Sequence, residues 1–324
     1  MTDDKPLTLS ELLKPIDKLE LEIQQLDNLV YKENTKNLSY ELNIIKEKLQ
    51  EIKKDILYGL SPLQRIHLVR QAHRPTTLDY VQLIMDEWIE LHGDRAGAED
   101  SALIGGIGRI KAQPVIFLGH QRGKNTKDNV IRNFGMPSPG GYRKALRLMR
   151  YANRFNFPII TFIDTPGAWA GIEAEQFGQG EAIAVNLREM FGFEVPIIST
   201  IIGEGGSGGA LAIGVGDVVL MLEYAVYTVA TPEACAAILW KDSQQSPKAA
   251  EALKITAQDL YTLGVIDKIV PEPPGGSQDN PKKAAQILKT YLCQELEKLI
   301  SLSNDEIKKN RYNRFRKLGT CYEN

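Results

Sequence analysis

Apolar positions near the start of the chain fall in alternating steps of four and three. Leu12, Ile16, Leu19, Ile23, Leu26 and Val30 form one such series, and Leu38, Leu42, Ile45, Leu49, Ile52 and Ile56 form another. This spacing puts each set on one seam of a helix, at the a and d positions of heptads. The polar connector "YKENTKN" between them predicts an antiparallel helical hairpin over residues 1–58. A heptad seam carries no chemistry, so the hairpin reads as a packing arm for the body of the chain or for another subunit.

From residue 59 the pattern changes. "RPTTLDYVQLIMDEWIELHGD" (74–94) predicts one helix, with Thr77 or Asp79 near its start and Gly93 past its end. "ALIGGIGRI" and "QPVIFLGHQ" are short apolar runs split by "KAQ", which predicts a β-hairpin. "GGYRKALRLMRYANRF" predicts an amphipathic helix opened by glycines. An internal repeat follows: "PIITFIDTPGA" begins at Pro158 and "PIISTIIGEGG" at Pro196. Each is a buried strand entered through proline and left through a glycine loop. The first loop feeds the helix "EAEQFGQGEAIAVNLREMFG", and the second runs through a short helix into the strand "VVLMLEYAVYTV". Strand–strand–helix units at this interval predict an α/β body over residues 59–270, with its sheets stacked in a spiral. Periodicity alone does not separate that from a doubly wound sheet.

"PEPPGGSQDNP" (271–281) reads as a turn-rich linker and 282–300 as a helix, so residues 271–324 form a linker, a C-terminal helix and a basic tail. The tail carries six Lys or Arg between Lys308 and Lys317, with Tyr312 and Phe315 interleaved. Basic residues mixed with aromatics suit RNA. The formal net charge is −2, however, so no nucleic acid is expected and a docking tail is the better reading. "ALAIGVGDVVLMLEYAVYTVA" (210–230) has the length of a membrane span. Asp217 and Glu223 inside it would each cost about 2.5–3.5 kcal/mol near a bilayer centre, so buried core is expected and no insertion. Cys235, Cys293 and Cys321 lie far apart without a C-x-x-C pair, which excludes a disulfide framework or a cysteine zinc site within this chain. The opening "MTDDKPLTLSELLKPIDKLE" is acidic and lacks an apolar signal core, so a cytoplasmic location is expected, or the plastid stroma for a plastid-encoded chain.

The candidate chemistry lies in "IIGEGGSGGALAIG" (201–214), which satisfies two motif templates at once. Gly203, Gly205 and Gly208 spell G-x-G-x-x-G, and Gly205, Ser207 and Gly209 spell G-x-S-x-G. A hydrolase elbow needs a histidine later in the chain, yet His67, His73, His92 and His120 all precede Ser207. A dinucleotide fold needs a long crossover helix, and only "ALAIGVG" separates Gly209 from the next strand. What remains is a glycine turn that leaves main-chain N–H groups uncovered, suited to an oxygen gaining negative charge.

"NFGMPSPGGYRKALRLM", "PIITFIDTPGA", "GQGEAIAVNLREM", "IGEGGSGGALAIGVGD" and "PEACAAILWKD" closely resemble the alpha subunit family of the acetyl-coenzyme A carboxylase carboxyltransferase, and "RPTTLDY" and "VIDKIVPEPPGG" match as well. The resemblance covers essentially the whole chain. It implies a crotonase-like (ClpP/crotonase) spiral of β-β-α units and a heteromer with a beta subunit, usually alpha2beta2. The implied reaction moves a carboxyl group from carboxybiotin to acetyl-coenzyme A, giving malonyl-coenzyme A for fatty acid biosynthesis. Biotin would ride on a biotin carboxyl carrier protein, charged by a biotin carboxylase that confers ATP binding on the complex. No metal is implied on this chain, and a structural zinc is implied on the beta subunit. By similarity, Gly208 and Gly209 hold the biotin oxygen, Ala210 contributes, and Gly205 and Gly206 shape the turn. Gly167 and Ala168 line the same cleft.

Around "GMPSPGGYRK", Lys124, Lys127, Arg132, Arg143 and Lys144 form a basic cluster that, beside Tyr142, is a candidate for coenzyme A phosphates or the transferred carboxylate. Where the family pattern has Tyr-Pro after "DTPGA", this chain has Trp169 and Ala170, which implies a less rigid loop. Two alternatives stand beside this reading. A stand-alone crotonase-type hydratase or isomerase would draw its carboxylates from Glu204 and Glu181, and a non-catalytic scaffold would use only the hairpin.

Overall fold

Two long helices, Leu9–Glu33 and Lys36–Tyr58, open the computed structural model, which describes residues 8–33 and 36–319. They pack through Ile16, Ile23, Leu42 and Leu49, and run antiparallel, since Asp27 pairs with Lys46 and Glu20 with Lys53. Lys53 also reaches Asp279 at 2.8 Å, tying the second helix to the body. The other half of the apolar seam stays open, with Leu19 38% exposed and Ile52 47%. The side chains of Val30 and Leu38, residues 34 and 35 of the connector, and Cys321 lie outside the described residues.

Residues 74–94 do not form the single helix their spacing predicts. A capping box of Thr76 and Asp79 starts a helix over Thr77–Ile84, and Met85 then turns extended. Strand β1 (Glu87–Glu90) follows and pairs antiparallel with β2 (Leu103–Ile110). Gly106 and Gly108 lie opposite Glu90 and Trp88, and a Cβ on Gly106 would fall on the carbonyl of Ile89. A bare backbone in β2 thus admits a partner strand, and that tertiary pairing outweighs the local helical preference.

The hairpin forms as the apolar runs predict: β2 pairs with β3 (Gln113–His120), and Ile110 faces Gln113 across a tight turn. Parallel strands β4 (Ile159–Thr165), β5 (Ile197–Gly206), β6 (Val218–Leu222) and β8 (Lys268–Val270) then add in chain order. β7 (Val226–Thr228) lies off this path and pairs with the last three residues of β5. Spatial order therefore follows chain order, one unit after another, as a spiral of units requires. The repeat at Pro158 and Pro196 becomes two adjacent parallel strands with Ile159 beside Ile197. Between strands, the helix Pro139–Phe155 lays Ala145, Leu148, Met149 and Ala152 onto the sheet at helical spacing, all fully buried.

The C-terminal segments are not a free tether. Glu272, in the stretch read as a linker, makes a bidentate pair with Arg74 at 2.8 and 2.9 Å, and both are buried. The helix Pro281–Ile300 adds Leu288, Leu292 and Leu296 to the main core. The basic tail is a docked helix, Asn304–Arg316. Its Arg311 is fully buried, pairs with Asp217 and donates to the carbonyls of Met190, Phe193 and Val195. Asp217, the charge that argued against a membrane span, thus has its partner inside the body. Among the described residues no helix is long and apolar enough to cross a membrane.

Candidate functional site

β4 and β5 end side by side and leave through two loops that touch. The loop after β5 turns at Ser207, whose φ of +49° is left-handed, and enters the short helix Ser207–Leu211. Gly206 precedes that helix and carries no side chain to cap its first N–H groups. The glycines differ in what they permit. A Cβ on Gly206 would fall on the carbonyl oxygen of Pro166, and one on Gly209 would fall on the backbone nitrogen of Ala168. A Cβ on Gly208 would meet nothing nearer than Ile183, at 3.9 Å.

This corrects the expectation that glycines fill the bend to admit a ligand. Gly206 and Gly209 are glycine because the 165–168 loop passes against them. Of the glycines in this bend, Gly208 is the one that faces open space. In front of it lies an apolar groove of about 360 Å³ lined by Leu211, Tyr227, Val229, Leu253 and Val265, a size that suits a small bicyclic ligand.

A polar cleft of about 400 Å³ lies at the same end of β5, lined by Arg70, Arg122, Asp164 and Glu204. The Glu204 carboxylate, 2% exposed, takes two hydrogen bonds from Arg70 at 2.6 and 2.9 Å and one from Arg122 at 2.8 Å. Burial raises its pKa, but the two guanidinium groups outweigh that and hold it below the usual carboxylate range. A carboxylate so paired cannot shuttle protons, and Glu181 sits exposed on its helix. The hydratase alternative therefore lacks its acid and base. The Glu204 backbone N–H donates to the Asp164 carboxylate at 3.0 Å, so the strand end beside the bend is held through both carboxylates and the two arginines.

Of the other candidates, Gly167 and Ala168 lie against the bend. Tyr142 is fully buried and donates from its hydroxyl to the Gly209 carbonyl at 3.3 Å. Arg143 pairs with Asp94 at 2.8 Å. Lys144 is buried, with its ammonium held by Glu99 and the carbonyl of Asp100. Lys124 pairs with Asp79 and Arg132 with Asp128. The basic cluster is thus largely consumed within the chain. The 169–170 change is offset as well: Gln179 donates to the carbonyls of Pro137 and Trp169 at 2.8 and 3.0 Å, stitching the loop that lacks proline.

Sequence reasoning tested His120 only as a serine base. No hydrogen bond of the described residues joins Ser207 to a histidine; the His120 ring instead sits 3.2 Å from the Gly209 carbonyl. Complete burial pushes its pKa down from 6.5 to about 3, chiefly through desolvation. Folding keeps this ring neutral, whereas the unfolded chain binds a proton below about 6.5. The contribution to stability is therefore complete above that pH and is lost as pH falls toward 3, with about 2 kcal/mol gone at pH 5. Denaturant unfolding at pH 7 and pH 5 is expected to show this loss in the natural protein, and a His120→Gln variant to lack it. Equal slopes for the two proteins would refute the assignment.

The chain thus builds an α/β spiral that ends two strands in touching glycine loops, with an uncapped turn beside an apolar groove. Residues 9–319 match the family described as acetyl co-enzyme A carboxylase carboxyltransferase-like. The chain is 66% identical over 324 residues to a protein of Gracilaria tenuistipitata var. liui, covering 100% of this chain and 98% of that one. It is 58% identical over 315 residues to one of Crocosphaera subtropica, covering 97% and 95%. Both are named acetyl-coenzyme A carboxylase carboxyl transferase subunit alpha. Among solved structures, a Pseudomonas malonate decarboxylase hetero-dimer aligns with a TM-score of 0.56 at 18% identity, over 74% of this chain and 96% of that one. A transcarboxylase 12S structure aligns at 0.53 and 21% identity, over 66% of this chain and 41% of that one. The chain belongs to the acetyl-coenzyme A carboxylase carboxyltransferase alpha-subunit family, and is a transferase subunit.

Proposed function

We propose that this chain is the half of the carboxyltransferase that receives carboxybiotin. Together with a beta subunit it would transfer the carboxyl group to acetyl-coenzyme A and yield malonyl-coenzyme A. The observation that carries this reading is Gly208, a bare position in an uncapped turn that lines an apolar groove. Carboxybiotin supplies the carboxyl group and a ureido oxygen that gains negative charge as the group departs. Gly208 and Gly209, with Ala210 beside them, present N–H donors to that oxygen; each such donor contributes on the order of 3–4 kcal/mol in comparable sites. Gly167 and Ala168 form the facing wall, and Gly205 and Gly206 set the turn. Leu211, Tyr227 and Val229 line the groove with apolar surface.

No side chain at the bend serves as a base, in keeping with a reaction in which the departing biotin oxygen takes the proton. The acetyl-coenzyme A side, a structural zinc, and a second set of donors would come from the beta subunit in an alpha2beta2 assembly. The carrier protein and biotin carboxylase would complete the complex, in the cytoplasm or plastid stroma. Purified alone, the chain is expected to form no malonyl-coenzyme A from carboxybiotin and acetyl-coenzyme A, and adding the beta subunit is expected to restore it. Full activity of the isolated chain would overturn the division of labour.

A further inference from the structure

We infer that His120 and Tyr142 are positioning residues for the reaction proposed above, which this inference presupposes: together they grip the carbonyl of Gly209 and so aim the amides of the bend. Two side chains from separate elements converge on one oxygen. His120 ends β3 and Tyr142 lies on the helix Pro139–Phe155; their Nε2 and hydroxyl stand 3.2 and 3.3 Å from that carbonyl. Both residues are fully buried, so neither contact competes with water.

The carbonyl is free to be gripped because the helix does not use it. The N–H that would normally bond it, that of Ile213, reaches Ala210 instead at 3.4 Å. A carbonyl has two lone pairs, and here both are taken by side chains. Since a carbonyl only accepts, the His120 nitrogen facing it must carry hydrogen. The other nitrogen, Nδ1, then accepts from the N–H of Asp164 at 3.4 Å, which fixes the tautomer. The low pKa of the buried ring means the grip is pH-independent through the physiological range.

In a helical turn the carbonyls point forward and the N–H groups back. The Gly209 carbonyl shares its peptide plane with the N–H of Ala210, so holding it fixes that plane and, through the short helix Ser207–Leu211, the orientation of the two amides before it. Glycines cost the most backbone freedom to order, so each contact that holds such a bend counts. Donors fixed before the charge develops act without reorganising, so the grip is expected to matter in the transition state more than in binding.

The test uses the chain assembled with its beta subunit and biocytin-linked carboxyl transfer as the assay. Tyr142→Phe is expected to lower kcat about 10-fold with KM within about twofold, and His120→Leu to lower it further. His120→Gln, whose amide N–H can occupy the place of Nε2, should recover most of that loss. The double variant should lose less than the product of the single losses. Wild-type kcat in Tyr142→Phe, a loss confined to KM, or no rescue by glutamine over leucine would each overturn the inference. Should His120→Leu fail to assemble, Tyr142→Phe decides by the same criterion, since it removes one oxygen only. Gly208→Val separates the two levels: if it too is fully active, the reading of the bend fails; if it is inactive while the grip variants are normal, only the grip fails.

Discussion

Replacing Gly208 with valine is expected to lower carboxyl transfer by the assembled enzyme about 10²–10³-fold without changing its melting temperature, the loss typical of one missing oxyanion donor. The position has room, since a Cβ there meets nothing closer than Ile183 at 3.9 Å. The backbone is not left-handed at Gly208, so an L side chain introduces no strain. The isopropyl group would project from a position that lines the groove, in the direction of Ile183. Gly209→Val is the poorer experiment, because its side chain would collide with the backbone of Gly167 and Ala168 and the fold itself would give way. Steady-state transfer rates and thermal unfolding of the same preparation check the expectation. Turnover within a few-fold of normal in Gly208→Val would remove the bend from the chemistry.

The second large effect concerns stability. Arg311→Met is expected to cost about 3–5 kcal/mol, the range for removing one partner of a buried ion pair. Arg311 is 0% exposed and Asp217 2%, and the pair closes at 2.7 Å. Methionine fills much of the volume but leaves Asp217 with only the N–H of Ile197, at 2.7 Å, as a donor. Three carbonyls at the end of the helix Gln179–Gly192 also lose their donor. Urea unfolding would read the loss as a lower midpoint at unchanged slope. Adding Asp217→Asn should recover part of it, because the stranded charge is then gone. A shift worth under about 1 kcal/mol would mean that the tail helix is docked by its apolar contacts alone.

Most of the reaction class was legible in the sequence. The repeat at Pro158 and Pro196, the glycine run at the end of β5 and the position of every histidine ahead of Ser207 pointed to main-chain donors rather than a side-chain nucleophile. The β1 strand was not legible. Its residues carry helical spacing, and only the bare backbone of Gly106 and Gly108 across the ladder makes a strand of them. The roles of Arg143 and Lys144 were equally hidden: a basic cluster in sequence says nothing of Asp94 and Glu99, which meet it from far along the chain. His120 and Gln179 show the same limit. Each acts on a carbonyl that folding alone brings within reach, and no local motif marks them.

Local order along the chain, then, was enough for the helical arm, the β-hairpin and the repeated units, because periodicity and small residues act over a few positions and are read directly. What the tertiary structure alone decided is which glycine is open and which are merely close-packed, and which charges are spent inside the body. Most of those outcomes depend on groups far apart in the chain meeting in three dimensions, as Gly206 meets Pro166 and Arg143 meets Asp94. Contacts of that range are settled by burial and hydrogen-bond satisfaction, not by neighbouring sequence.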